Sequence, residues 1–289
     1  MSDQDYRALR ESAGAVDLPR DFVRATGPDV VSFLQGQLSQ DVAGLAPGAS
    51  TWALLLQPQG KVVAFLRVLR MGDEEFVLET DAGFGDPVVE RLNRFKLRVK
   101  ADLDRLAWKC VAVRGPKAHD LVDGGVVADW PGLPGADLVG ESPAPPEGVP
   151  SCALEAYEAV RIEAGIPVMG KELDENTIPE EAGVVPRSVS FTKGCYTGQE
   201  LVARIDSRGG NVPRRLRGLI VHGSPPLGAT LEADGKDAGR VTSVAWSPGL
   251  GSTVALAYVR RAVEPPADVV VTWVGGSAPA RVEALPLVS

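Results

Sequence analysis

The octapeptide Lys193-Gly194-Cys195-Tyr196-Thr197-Gly198-Gln199-Glu200 places a cation, a thiol, a phenol, an amide and a carboxylate within one short, glycine-punctuated stretch. If Lys193 to Cys195 is extended, side chains two apart share a face, which sets the ammonium beside the sulfur. A neighbouring ammonium favours thiolate over thiol, and the thiolate is the nucleophile and metal ligand. Gln199 to Arg204 reads as the start of a helix, whose free N–H groups would also favour an anion in the preceding loop. On residue types alone a plain loop with a half-exposed cysteine fits equally well.

Elsewhere the chemistry is thin. Cys110 lies in the alternating run Trp108 to Val113 and reads as a core filler, and Cys152 follows a Pro-rich loop with no cation beside it. Neither stands at C-x-x-C spacing from Cys195, so the cysteines predict no metal site. The histidines, His119 and His222, are far in sequence from any carboxylate cluster, and no nucleophile-elbow motif accompanies them. Gly83-Phe84-Gly85 and Gly209-Gly210 match neither a P-loop nor a dinucleotide fingerprint. The arginines past the octapeptide, Arg204, Arg208, Arg214, Arg215 and Arg217, read either as a solvated surface or as guanidinium forks that capture a carboxylate-bearing ligand.

Several elements must hold these residues. Thr26-Gly27-Pro28-Asp29 followed by Val30, Val31, Phe33, Leu34 and Leu38 predicts a capped amphipathic helix. Trp52 to Leu56 and Lys61 to Leu69 predict strands joined through Pro58-Gln59-Gly60, with a third strand over Glu75 to Thr80. Asp86-Pro87 opens a helix running to Phe95, Pro116 to Val122 reads as a short helix, Val126 to Trp130 as a further strand, and Leu154 to Glu163 as a helix. Gly140 to Pro150 is a Pro/Gly loop within one domain. After Pro213 the chain turns to short strands, at Leu216 to Val221, Arg240 to Trp246, Val254 to Val259, Val269 to Val274 and Ala280 to Leu285. Asp234-Gly235 marks a tight turn, and this tail predicts a small antiparallel barrel or sandwich.

Composition bounds the rest. A chain of 289 residues predicts two or three packed units, and 44% hydrophobic content with mixed charge is ordinary for a globular protein. The net charge of −8 argues against a phosphate-neutralising surface, so nucleic acid is not an expected partner. No run approaches a membrane span, the N-terminus lacks the basic-then-apolar order of a secretion signal, and an odd set of 3 cysteines fits a reducing cytoplasm.

The octapeptide KGCYTGQE resembles the signature of the YgfZ-type folate-binding proteins, relatives of the aminomethyltransferase (T-protein) of the glycine cleavage system. Phe33 to Val42, Leu54 to Val68, Arg161 to Gly183 and Ala203 to Leu219 resemble further stretches of that family in the same order, so the likeness covers most of the chain. The resemblance implies an α+β fold of three domains in a T-protein-like ring: 1–105, 106–212 with a ferredoxin-like unit, and 213–289 as a C-terminal antiparallel β-barrel. It implies tetrahydrofolate or a one-carbon derivative as cofactor, and iron–sulfur client proteins as partners in cluster assembly or repair. Lys193 and Cys195 would be the functional pair. Glu163 and Glu181 are the two candidates for the pterin anchor, since a carboxylate can accept both hydrogens of the pterin's amidine-like edge. Tyr196, Gln199 and Arg204 complete the implied ligand set, Arg204 toward a ligand carboxylate. T-proteins carry an aspartate beside the folate, preceded by an asparagine, and lack the KGCYTGQE cysteine. Here Asp81 and Asp86 occupy that region without the asparagine, and the cysteine is present. Two alternatives accompany this expectation: a folate-dependent aminomethyl or methyl transferase, and a non-catalytic scaffold.

Overall fold

The computed structural model describes residues 2–288 and shows an α+β chain built on three antiparallel sheets. These fall into two compact units assembled from interleaved segments. One contains 19–109 and 168–212; the other contains 1–18, 110–167 and 213–289. The segment 106–212, continuous in sequence, therefore contributes to both units.

The first unit is organised by a five-stranded sheet in the order Ser50–Leu56, Val62–Gly72, Glu75–Asp81, Arg20–Thr26, Asp102–Leu106. Strand side chains alternate between faces, and one face is apolar throughout: Val23, Ala53, Leu55, Leu66, Phe76 and Leu78 pack under the helices Val30–Gln37 and Gly85–Asn93. Asp29 stands at the N-cap of the first helix, yet its side chain caps nothing there; Oδ2 instead accepts from the Lys100 backbone N–H at 2.8 Å. The predicted cap residue thus ties the helix start to a distant loop.

In the second unit a four-stranded sheet runs Gly14–Leu18, Lys109–Arg114, Gly135–Gly140, Val126–Val127. The C-terminal tail closes into a six-stranded barrel, Arg214–Val221, Ser252–Arg260, Lys236–Ser247, Thr230–Ala233, Ala267–Trp273, Gly276–Glu283, whose last strand pairs with its first. Aliphatic residues such as Leu219, Leu231, Val241, Ala255, Val271 and Val282 fill it. The turn between Thr230–Ala233 and Lys236–Ser247 uses Asp234 at φ 50° and Gly235 at φ 70°, the two left-handed residues that a two-residue hairpin requires. The helix Leu154–Ala164 packs on the barrel and on the N-terminal helix Asp3–Glu11. Among the described residues no helix is long and apolar enough to cross a membrane.

Candidate functional site

The signature octapeptide leaves the short helix Val185–Ser188, passes through a bend at 191–193, and enters the helix Gln199–Asp206 with Gly198 as N-cap. The helix start is where the sequence pattern puts it. Lys193 departs from expectation. The chain bends at Lys193 instead of running extended, and its ammonium turns to the helix Val30–Gln37. It donates to the backbone carbonyls of Gln35 at 2.6 Å, Leu38 at 2.7 Å and Gln40 at 3.0 Å, at the C-terminal end of the helix Val30–Gln37. Three protons meet three acceptors, and the negative end of the helix dipole lies beside them. Burial pulls the Lys193 pKa down to about 8, with Asp41 acting against it. Lys193 thus ties the loop to the end of the helix Val30–Gln37.

Other bonds stitch the same loop down. Ser39, fully buried, donates to the Ser188 carbonyl at 2.6 Å while its oxygen accepts from Leu54 N–H at 2.8 Å, and its carbonyl accepts from Ser190 N–H. Thr197 N–H donates to the Gly36 carbonyl at 3.1 Å, and Gln199 Oε1 accepts from Tyr196 N–H at 3.1 Å. Tyr196 is buried, which raises its phenol to about 12, and the Lys193 ammonium lies 5.3 Å from its ring centre. Gly198 and Gly60 meet face to face. A Cβ on Gly198, where φ is 86°, would lie 2.6 Å from the Gln57 carbonyl oxygen, and one on Gly60, at φ 80°, would lie 2.6 Å from Leu201 Cβ. Only glycine fits at either place. Gly194 has open space around it, so the close approach belongs to one flank of the cysteine and not to both. Within this pinned loop Cys195 itself is exposed.

The two glutamates part company. Glu163 lies on the helix Leu154–Ala164 and is fully buried. Its oxygens accept from Tyr6 Oη at 3.0 Å and Arg10 Nε at 2.8 Å, with a second Arg10 contact through Nη2. Burial and the nearby Glu163 raise the Tyr6 pKa, which keeps that phenol a donor. Glu163 therefore anchors the N-terminal helix Asp3–Glu11. Glu181 is also buried but sits on the 3-10 turn Pro179–Ala182, in the unit that carries the octapeptide, where it accepts from Ile178 N–H at 3.5 Å. That turn packs on the helix Gln199–Asp206. Arg204 is exposed on this helix. The arginine run is divided: Arg204 and Arg208 belong to one unit and Arg214, Arg215 and Arg217 to a barrel strand of the other.

Cys110 is buried, as expected. Burial, with Asp5 assisting, pushes the Cys152 thiol up to about 11, and its sulfur would lie 2.7 Å from a Cβ on Gly14. His119, isolated in sequence, meets Asp129 at 2.7 Å on an exposed edge.

Sequence reasoning missed one feature altogether. On the second face of the five-stranded sheet, Trp52, Arg67, Glu79 and Phe22 stand in register across four strands. Arg67 and Glu79 are fully buried and paired, Nε to Oε2 at 2.9 Å, and Arg20 approaches Glu79 at 3.7 Å while also pairing with Asp81. Asp81 in turn accepts from Met169 N–H at 2.9 Å. Trp52 stacks on Phe65 at 4.6 Å, with Arg67 over its ring. A single arginine inside the apolar run of Val62 to Leu69, and a Glu-Thr-Asp ending inside the next strand, were the available signals.

A sheet with one charged buried face, a pinned thiol-bearing loop and a closed six-stranded barrel define a T-protein-like α+β protein. Two family models match it: the GCVT N-terminal domain over residues 1–131 and the glycine cleavage T-protein C-terminal barrel domain over 214–289. The chain belongs to the glycine-cleavage T-protein (aminomethyltransferase) superfamily. It is 29% identical to an aminomethyltransferase of Streptomyces avermitilis, over 98% of this chain and 88% of that protein. It is also 29% identical to an uncharacterized protein of Haemophilus influenzae, over 66% of this chain and 67% of the other. The crystal structure of the glycine cleavage system aminomethyltransferase T from Bartonella henselae shares the fold, with a TM-score of 0.83 at 22% identity, covering 99% of this chain and 89% of that one.

Proposed function

We propose that this chain is a tetrahydrofolate-binding protein of the YgfZ type that serves the assembly or repair of iron–sulfur clusters in client enzymes through Cys195. The observation that carries this reading is the construction of the KGCYTGQE loop. Lys193, Ser39, Thr197 and the Gly198–Gly60 contact fix the backbone, while the thiol is left exposed. Rigid presentation of an accessible side chain on a loop suits contact with a partner better than packing. One thiolate does not hold a cluster, so the cluster is cargo of the client.

Reduced folate fits the donor set of the same unit. A pterin edge needs a carboxylate, which Glu181 supplies there, and the glutamate tail needs a guanidinium such as Arg204. Tyr196 and Gln199 lie on the intervening loop and helix. Tetrahydrofolate, when bound, supplies a carrier for one-carbon units; these residues orient it. Glu163 is the other candidate, and a pterin there would have to displace Arg10 from its carboxylate. Titration of the purified chain with tetrahydrofolate and with folic acid tests this. Glu181→Gln is expected to weaken tetrahydrofolate binding about ten- to a hundredfold, the cost of one charge-assisted hydrogen-bond partner. Glu163→Gln is expected to lower the melting temperature first. The reverse division would move the anchor to Glu163, and two unaffected variants would remove folate from the reading.

Aminomethyltransferases aligning over nearly the whole chain favour a second reading, a folate-dependent transferase. That chemistry needs a carboxylate beside the folate nitrogen. Asp81 is engaged by Arg20 and Met169, and Asp86 pairs with Arg105. Steady turnover of a defined aminomethyl donor would establish the transferase reading in place of the first.

A further inference from the structure

The stretch from Arg91 to Ala101, RLNRFKLRVKA, contains no carboxylate on a chain whose net charge is −8. It leaves the helix Gly85–Asn93 and leads into the strand Asp102–Leu106. Arg94, Arg98 and Lys100 are exposed and Lys96 is half-buried. Among the described residues no carboxylate pairs with any of these four. Arg24, Arg105, Arg260 and Arg281 are equally exposed, and each of them has one. Two apolar side chains stand among the cations: Leu97 is 86% exposed and Phe95 38%. A leucine this bare keeps nearly all of its burial free energy for a partner.

The segment is held at both ends and bent between them. The Phe95 ring carries the Arg91 guanidinium 3.8 Å from its centre. At the other end Lys100 N–H donates to Asp29 Oδ2 at 2.8 Å, and its carbonyl accepts from Asp29 N–H at 3.2 Å. Arg98 has φ 60°, in a turn where glycine is the usual occupant of such a position. Backbone of this kind persists only where the surrounding structure holds it.

Arg91 links this segment to the thiol loop within one compact unit. Its buried guanidinium donates to the Leu56 carbonyl at 2.9 Å and to Gln37 Oε1 at 3.2 Å. Thr197, two residues from Cys195, donates to the same Gln37 oxygen at 3.4 Å. Burial and the neighbouring Arg94 both lower the Arg91 pKa, as expected where cations gather without an anion.

We propose that the segment 94–100 is a docking surface beside Cys195 for an acidic stretch of a partner protein. Carboxylates of that stretch meet Arg94, Lys96, Arg98 and Lys100, and its apolar side chains cover Leu97. Only the partner's identity as the iron–sulfur client rests on the function proposed above. The negative charge of the rest of the chain steers an acidic partner to this one segment. A nucleic acid suits it less, because Phe95 already has a guanidinium over its ring and Leu97 and Val99 offer no stacking surface.

Fluorescence anisotropy of the full chain tests the surface, with a fluorescein-labelled peptide of interspersed glutamates and leucines as probe. Saturable binding that weakens with added salt is expected, and the same peptide with glutamine for glutamate is expected not to bind. The double variant Arg94→Glu/Arg98→Glu should bind at least about tenfold more weakly, through like-charge repulsion. Leu97→Ser, which removes an exposed side chain, should also weaken binding. Arg281→Glu, on the barrel, should bind as the wild type does. Bound peptide is expected to slow iodoacetamide alkylation of Cys195, and Cys195→Ala is expected to bind the peptide normally. No saturable binding, wild-type affinity in the double variant, or unslowed Cys195 alkylation would overturn the proposal. So would tighter binding of a single-stranded oligonucleotide or of phosphatidylglycerol vesicles. Normal cluster-enzyme activity in Cys195→Ala cells would sink the cluster reading and leave these binding results standing.

Discussion

The barrel and the five-stranded sheet are both antiparallel and both well packed, but they treat charge in opposite ways. The barrel keeps its interior for Val, Ala and Leu and sends its arginines to the outer wall. The sheet buries a row of charge, Arg67 with Glu79 and Arg20 with Asp81, on the face away from its apolar core. Replacing a buried ion pair by apolar residues of similar volume is often neutral or stabilising, so such a row is poor evidence of stability. The barrel keeps charge at its surface; the sheet holds charge inside.

The largest expected effect comes from breaking that row. Arg67→Ala leaves Glu79 buried, with Arg20 at 3.7 Å as its remaining cation, and is expected to cost about 3–5 kcal/mol in chemical denaturation. Leu231→Ala in the barrel core is expected to cost about 2–5 kcal/mol through transfer and cavity terms. The two separate on rescue. The double variant Arg67→Met/Glu79→Leu is expected to recover most of the stability lost in Arg67→Ala. A double variant no more stable than Arg67→Ala would show that the charged row itself stabilises the sheet and would erase the distinction from the barrel.

A smaller effect is expected at Lys193, and its sign depends on pH. The folded chain lowers this pKa from 10.5 to about 8, mainly by burial. Between those values the unfolded chain binds the proton and the folded chain has released it, so stability from this group rises as pH rises. The stability gap between wild type and Lys193→Met is therefore expected to widen from pH 8 toward pH 10.5 in urea titrations. A gap that narrows would show that the three carbonyls outweigh desolvation and that the folded chain prefers the ammonium.

Much of this was legible locally. The helix start at Gln199, the turn at Pro58-Gln59-Gly60, the Asp234-Gly235 hairpin and the barrel strands all follow from near-neighbour patterns. The four-residue strand Thr230–Ala233 carries too few residues to show a period, although the turn that follows it was marked. The site is less legible because its meaning lies in distant partners. Lys193 looks like a neighbour of Cys195 until the bend turns it to carbonyls more than 150 residues away. Glu163 looks like a ligand anchor until Tyr6 and Arg10 arrive from the N-terminal helix. The Arg67–Glu79 pairing needs strand register, and the interleaving of 19–109 with 168–212 needs contacts that no linear pattern carries.

The smallest effect on stability should accompany the largest effect on function. Cys195 is exposed on a loop whose shape is set by other groups: the Lys193 ammonium, the Ser39 hydroxyl, Thr197 N–H and the Gly198–Gly60 contact. Truncating it removes no buried surface and no cage bond. Cys195→Ala is therefore expected to shift stability by no more than about 0.5 kcal/mol, within the range of ordinary surface substitutions. Folate affinity should be close to wild type, because the residues assigned to the pterin and its tail are untouched. Iron–sulfur enzyme activity should nevertheless fall in cells that carry only this variant. Cys152→Ala provides the opposite case, since that sulfur packs beside Gly14 and its loss should register in melting temperature and not in cluster-enzyme activity. Normal cluster-enzyme activity in Cys195→Ala cells, at wild-type protein levels, would leave the exposed thiol without a role and sink the cluster reading, while folate binding could still stand on Glu181.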